Sequence, residues 1–137
     1  MLLFAAAACT GAASAPDTLR GTFRHGCAPY DGPAFSVTLP HRASRSEFWL
    51  RANVPLSQAR GTWQHVLQSG PGQATIVRCQ TSGERACTSP ESGSFRIEMP
   101  AQAAMRGTLD VTFPGRARER FSFEAKQQEL KQQWFCG

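Results

Sequence analysis

The chain is written in short runs that alternate apolar and polar residues, each closed by a turn signal, and this period of two constrains the fold more than any other feature. Side chains of a strand point alternately to opposite faces, so a run with one apolar parity buries one face of a sheet and wets the other. Residues 18–24 carry Leu19, Gly21 and Phe23 on one parity and Arg20, Thr22 and Arg24 on the other. The pattern recurs with Phe35, Val37 and Leu39, with Phe48, Leu50, Ala52 and Val54, and with Trp63, His65 and Leu67. After the β-branched run 74–80 it returns with Phe95, Ile97 and Met99, with Leu109, Val111 and Phe113, and with Phe121, Phe123 and Ala125. Asp31-Gly32, Gly70-Pro71-Gly72, Ser82-Gly83 and Pro114-Gly115 mark turns between runs. These runs predict an all-β fold, a small antiparallel β-sandwich or barrel of about 7–8 strands with little helix. Two helical turns are expected, at 56–60 closed by Gly61 and at 101–106 closed by Gly107 in the left-handed region. The polar tail 126–133 reads as helix or as continued strand.

With 137 residues, 41% of them hydrophobic and 18% charged, the chain suffices for one core and not for two. Residues 1–15 read as a targeting segment and tether, and 16–137 as a single β domain. The formal net charge is +5, and of the fifteen basic residues only Lys126 and Lys131 are lysine. The arginines are spread from Arg20 to Arg120 rather than blocked into one tail. Such a surface favours anionic lipid headgroups or acidic polymers as contacts.

Leu2 to Ala8 is an apolar run too short to span a bilayer and of the length of a signal-peptide hydrophobic region. Ala6, Ala7 and Ala8 directly before Cys9 resemble the lipobox of bacterial lipoproteins, with Ala6 where leucine is usual, and no Lys or Arg precedes Arg20. The resemblance implies cleavage before Cys9 and lipidation of its sulfur. It also implies delivery to the cell envelope, with Thr10 after the cysteine favouring the outer membrane. The competing site is Ala13-Ser14-Ala15, which would release a soluble periplasmic or secreted protein starting at Pro16. Either way the domain is extracytoplasmic, which disfavours nucleic acid as a partner and leaves the lipid anchor as its contact with the membrane.

Export makes disulfides available. Setting Cys9 aside leaves Cys27, Cys79, Cys87 and Cys136, for which three connectivities exist. The pairing chosen here is Cys79–Cys87, across the turn at Ser82-Gly83, with Cys27–Cys136 joining the ends of the domain. A zinc site is the rival use of these thiols, but Cys-x-x-Cys spacing is missing, so no metal and no cofactor is expected.

Signatures of catalysis are sparse. The three histidines lack metalloprotease spacing, and no nucleophile elbow, phosphate loop or dinucleotide fingerprint occurs. An enzyme reading rests on His25 as a base oriented by Asp31 with Tyr30 beside it; His65, between two core positions, reads as structural. Binding features are clearer. Trp49 and Arg51 fall on the outward parity of their strand, Trp49 either as a binding anchor or packed under a long side chain. Arg116 and Arg118, with Arg120 beyond, alternate at strand spacing and would share a face able to chelate a carboxylate or phosphate. Arg42 and Arg45 add charge in the loop before Trp49. Arg-Gly-Thr recurs at 20–22, 60–62 and 106–108, so Arg20, Arg60 and Arg106 form a second candidate set beside the simpler reading of favoured loop-and-strand residues. The expectation is a non-catalytic binding module of the cell envelope, with an inhibitor-like protein within that class, whose partner is an envelope protein or an anionic envelope polymer. The alternative is a small extracytoplasmic enzyme using His25 and Asp31.

Overall fold

The computed structural model describes residues 17–28, 32–101 and 104–128. The strands are β1 (Thr18–Cys27), β2 (Pro33–His41), β3 (Ser46–Ala52), β4 (Gly61–Gln64), β5 (Ala74–Gln80), β6 (Cys87–Thr88), β7 (Ser92–Ala101), β8 (Ala104–Thr112) and β9 (Glu119–Gln127). They make one sheet in the order β4-β7-β8-β9-β1-β2-β3-β5-β6, curled into a half-barrel. The all-β expectation holds, and among the described residues helix is confined to the 3-10 turns Arg42–Ser44 and Leu56–Gln58. Of the two architectures that the alternation allows, a single sheet wrapped around its own apolar face encloses the core. Just past β4 the chain also reaches the far side of the curl: Val66 N–H donates to Ala74 O at 3.0 Å, and His65 bridges Ala74 in parallel.

The inner face follows the apolar parity. Phe23, Phe35, Val37, Leu39, Phe48, Leu50, Ile76, Phe95, Ile97, Leu109, Val111 and Phe123 are all buried in one cluster. Burying each such side chain is worth about 1.5–3 kcal/mol, so the fold's stability resides in this inner layer. Two glycines on the same parity serve close approach. A Cβ on Gly21 would stand 1.8 Å from Thr38 O, and one on Gly107 would stand 2.2 Å from Arg96 O and 2.5 Å from the Phe123 ring.

Four local expectations are corrected. The sheet is not wholly antiparallel, because β1 and β9 pair in parallel from Thr18↔Ser122 to Phe23↔Gln127. Alternation fixes which face a residue takes and says nothing of a neighbour's direction; here two antiparallel meanders, β1-β2-β3 and β7-β8-β9, meet through their outer members. The helical turn at 101–106 is absent: β7 and β8 form a hairpin, Met105 is buried and Gly107 lies within β8. Tertiary burial overrides the helix propensity of Ala-rich 101–106. The run at 62–68 stops as regular strand at Gln64, and Leu67, expected inward, is 82% exposed. Asn53, expected outward, is buried: its N–H donates to Gln73 O and its Nδ2 to Gly70 O, fixing the loop that follows.

The disulfide Cys79–Cys87 forms as expected, joining β5 to β6 where the two cysteines lie opposite each other. Cys27 is also disulfide-bonded; its expected partner Cys136 lies outside the described residues. So do Cys9 with the targeting segment, the helix-or-strand choice for most of the tail, and Tyr30 and Asp31.

Candidate functional site

The outer face of β1-β2-β3-β5 carries two transverse rows of side chains set by register. Arg24, Ser36, Arg51 and Thr75 lie opposite one another in one row, and Thr22, Thr38, Trp49 and Val77 in the next. Between the rows runs a groove of about 290 Å³, lined among others by Arg24, Ser36, Thr38, Trp49, Arg51 and Thr75. Neighbouring strands are about 4.8 Å apart, so the two arginines, two strands apart, are separated at the backbone by about 9.6 Å. Three hydroxyls and two guanidiniums thus face one floor beside an indole.

Trp49 is half-buried and held from two sides. Its Nε1–H donates to Glu47 Oε1 at 2.8 Å, and the Arg85 guanidinium carbon sits 5.0 Å from the ring centroid, with Arg85 Nη2 3.9 Å from the same Glu47 oxygen. Arg85 belongs to the loop that the Cys79–Cys87 disulfide closes, and Cys79 lies opposite Glu47 in the sheet. The cross-link therefore positions the residue that covers the indole. Both sequence readings of Trp49 meet here: it packs under a long side chain and also walls a groove.

What distinguishes this groove is its charge. A groove of about 300 Å³ on the β7-β8-β9 side is lined by Arg96 and Arg106 together with Glu98 and Glu124. Another of about 590 Å³ sets Arg96 and Arg120 against Asp110. The Arg24–Arg51 groove has no carboxylate in its lining, and neither arginine has a carboxylate within 4.0 Å among the described residues. Compared with known proteins, the chain matches no family model, no curated protein and no solved structure.

The structure brings Trp49 and Arg51 together and does not join Arg116 and Arg118 to them. The latter two lie in the turn before β9, outside any strand, so strand spacing does not align them. Arg118 is committed: its Nε donates to Asp110 Oδ1 at 2.8 Å and its Nη2 to Oδ2, while Arg120 Nε stands 3.6 Å from Oδ2. The hydrogen bond from Arg118 holds the Asp110 carboxyl below the usual carboxylate range. Arg24 was missed by sequence reasoning, although its outward parity was legible, because nothing in one strand's pattern shows which residue of β1 lies across β2 from Arg51.

The Arg-Gly-Thr recurrence also resolves. Arg106 and Arg20 lie on either side of Glu124 in the register, with Arg20 Nη1 3.9 Å from Glu124 Oε2, and Glu98 lies opposite Arg106. Charges alternate along this row, which suits a solvated face rather than an anion site.

A second polar cluster sits inside the curl at the end where β2 finishes. Arg78 points inward with its side chain 8% exposed, stacked 4.6 Å from the Phe48 centroid and 4.9 Å from that of Phe113. Its Nη2 donates to Glu119 Oε1 at 3.1 Å, whereas Nε, Nη1 and Glu119 Oε2 have no partner among the described residues. His41 lies beside it, its ring 5.1 Å from that of Phe121, with Ser44 Oγ 2.6 Å from its Nδ1 and also bonded to His41 O. Burial, then the Arg78 charge, pushes its pKa down. The short range of the Ser44 contacts makes them a strap for the Arg42–Ser44 turn. His65 accepts from the Ile76 N–H through Nδ1 at 2.9 Å, and burial lowers its pKa as well. Its Nδ1 stands in for a backbone carbonyl, while its buried Nε2 has no partner among the described residues. His25 is part of β1 opposite Phe35 rather than of a loop. Among the described residues no group of His, Cys, Asp or Glu side chains gathers in the manner of a metal site.

Proposed function

We propose that this chain is a non-catalytic, extracytoplasmic binding module of the bacterial cell envelope, anchored through Cys9, and that its outer-face groove holds a carboxylated sugar polymer. The observation that carries the reading is the pair Arg24 and Arg51, without counter-charge, flanking an indole and three hydroxyls. Guanidiniums bind carboxylates through paired N–H donors, the indole offers an apolar face to a sugar ring, and Ser36, Thr38 and Thr75 donate to or accept from ring hydroxyls. The open shape suits a polymer crossing the strands better than a small molecule that needs enclosure.

The alternative, a small enzyme using His25 and Asp31, has one of its two residues in β1, opposite Phe35, and the other outside the described residues. An envelope protein as partner is a separate outcome of the test. Tryptophan fluorescence of the full chain is titrated with a polyuronate and with a neutral glucan of equal length. The reading expects saturable change with the polyuronate alone, lost in Arg24→Gln/Arg51→Gln and in Trp49→Leu. Equal response to both polymers, or a response that survives the arginine substitutions, overturns it.

A further inference from the structure

We propose that the end of the half-barrel at which β1 begins is a docking surface for the anionic lipid headgroups of the membrane that anchors the chain. The sheet order β8-β9-β1-β2-β3 puts the start of β1 between two turns, the β8–β9 turn with Arg116 and the β2–β3 turn with Arg42 and Arg45. All three arginines are exposed, and none has a carboxylate within 4.0 Å among the described residues. The turns converge: the His41 ring at the end of β2 lies 5.1 Å from that of Phe121 near the start of β9, and Ser122 N–H donates to Asp17 O just before β1. Arg116 N–H donates to Phe113 O, and the Phe113 ring lies 6.2 Å from that of Phe48 on β3.

Arg45 carries a further mark. At φ 50° it is the one non-glycine residue with positive φ among the described residues, a conformation that glycine or asparagine fills more cheaply. Its carbonyl is fixed from β5's side by Thr81, whose N–H and Oγ1 donate to it at 3.1 and 3.0 Å. The backbone is thus held in place for a long cationic side chain that has no carboxylate within 4.0 Å among the described residues.

The length of the tether says what covers this end. Cys9 and Asp17 are eight residues apart, so a lipidated Cys9 holds this end within about 28 Å of the bilayer. No other end of the half-barrel is leashed so closely. Electrostatic attraction acts within about 10 Å of an anionic surface, and a lipid chain gains firm attachment when a basic patch joins it. The carboxylates at this end are Asp17, Glu119 paired with Arg78, Asp110 paired with Arg118, and Glu47 bonded to Trp49, so Asp17 alone has no ion pair among the described residues; Glu84 and Glu91 lie in loops farther round the curl. This surface leaves the outer-face groove turned along the wall of the domain and open. The proposal rests on the lipid-anchor reading for its orientation and is independent of what the groove holds.

The test is flotation of the unlipidated full chain with phosphatidylcholine vesicles, with and without phosphatidylglycerol. Residues 1–8 are common to every variant, so the difference between the two vesicle types reads charge alone. Three arginines at a surface predict tighter binding to the phosphatidylglycerol vesicles on the order of a hundredfold, abolished by high salt. Arg42→Gln/Arg45→Asn/Arg116→Gln is expected to remove the preference with an unchanged circular dichroism spectrum, Asn being tolerated at the left-handed position. Arg24→Gln/Arg51→Gln is expected to keep it. No preference in the unaltered chain, a preference that survives the triple substitution, or one lost only with Arg24 and Arg51 overturns the proposal. Binding of the same triple variant to polyuronate stays normal, so failure here and failure of the groove reading are told apart.

Discussion

Breaking the buried Arg78–Glu119 pair from either side is expected to destabilise the protein unequally. Arg78 is stacked between two phenyl rings and is 8% exposed, while Glu119 retains 23% exposure. Glu119→Leu removes the acceptor for Nη2 and leaves a guanidinium with Nε and Nη1 already unpartnered, so the full cost of an uncompensated buried charge, about 3–5 kcal/mol, applies. Arg78→Met keeps most of the packing between Phe48 and Phe113. It strands a carboxylate on a side chain that is 23% exposed although its Oε2 is buried, and it loses one charge-assisted hydrogen bond and two ring contacts, together about 2–3 kcal/mol. Replacing both, as Arg78→Met/Glu119→Leu, should return stability to within about 1 kcal/mol of the starting protein. Urea denaturation followed by circular dichroism measures all three. For a chain of this length a loss of about 4 kcal/mol lowers the melting temperature by roughly 14 °C. A Glu119→Leu variant that loses under about 1 kcal/mol, or a double variant as unstable as Glu119→Leu alone, would refute the reasoning, because both require that the buried charge be the dominant cost.

Three further outcomes follow from the same structure. Burial lowers the pKa of both His41 and His65, so below about 6.5 the unfolded chain binds more protons than the folded one; the urea midpoint should hold above that pH and fall as pH drops below it, with the fall reduced in His41→Gln/His65→Gln. Gly107→Ala and Gly21→Ala should cost about 3 kcal/mol or more in thermal melts, since the new methyl meets backbone oxygen, whereas Gly72→Ala, at φ 74° with no described atom within 4 Å of the added carbon, should cost only the roughly 1 kcal/mol of its left-handed backbone. Cys79→Ser/Cys87→Ser should lose about 2.6 kcal/mol by loop entropy and shift tryptophan emission to the red as Arg85 leaves Trp49; unchanged emission would show that the disulfide does not position Arg85.

The strands that sequence located well are those whose parity is enforced by burial, such as Phe35-Val37-Leu39 and Phe121-Phe123-Ala125. Their faces follow from spacing alone. Cys79–Cys87 was legible for the same local reason, a turn between two arms. What spacing cannot carry is which strands become neighbours, or where a strand ends, as at Asn53 and Leu67. The parallel contact of β1 with β9, the hairpin that drew 101–106 out of a helical turn, and the placement of Arg24 beside Arg51 all depend on contacts between residues far apart in the chain. Arg118 shows the converse: its spacing from Arg116 was legible, but the Asp110 that neutralises it is set by the β8–β9 register. Trp49 and Arg51 were found because both lie on one strand, two residues apart.

The most direct test of the groove is a two-dimensional amide NMR titration of the full chain with a carboxylated oligosaccharide. The account predicts shifts concentrated at Arg24, at Ser36 to Thr38, at Trp49 to Arg51 and at Thr75 to Val77, with the Trp49 indole N–H among the largest. Shifts centred on the Arg42–Arg45 and Arg116 turns, or none on β1, β2 and β3, would contradict it.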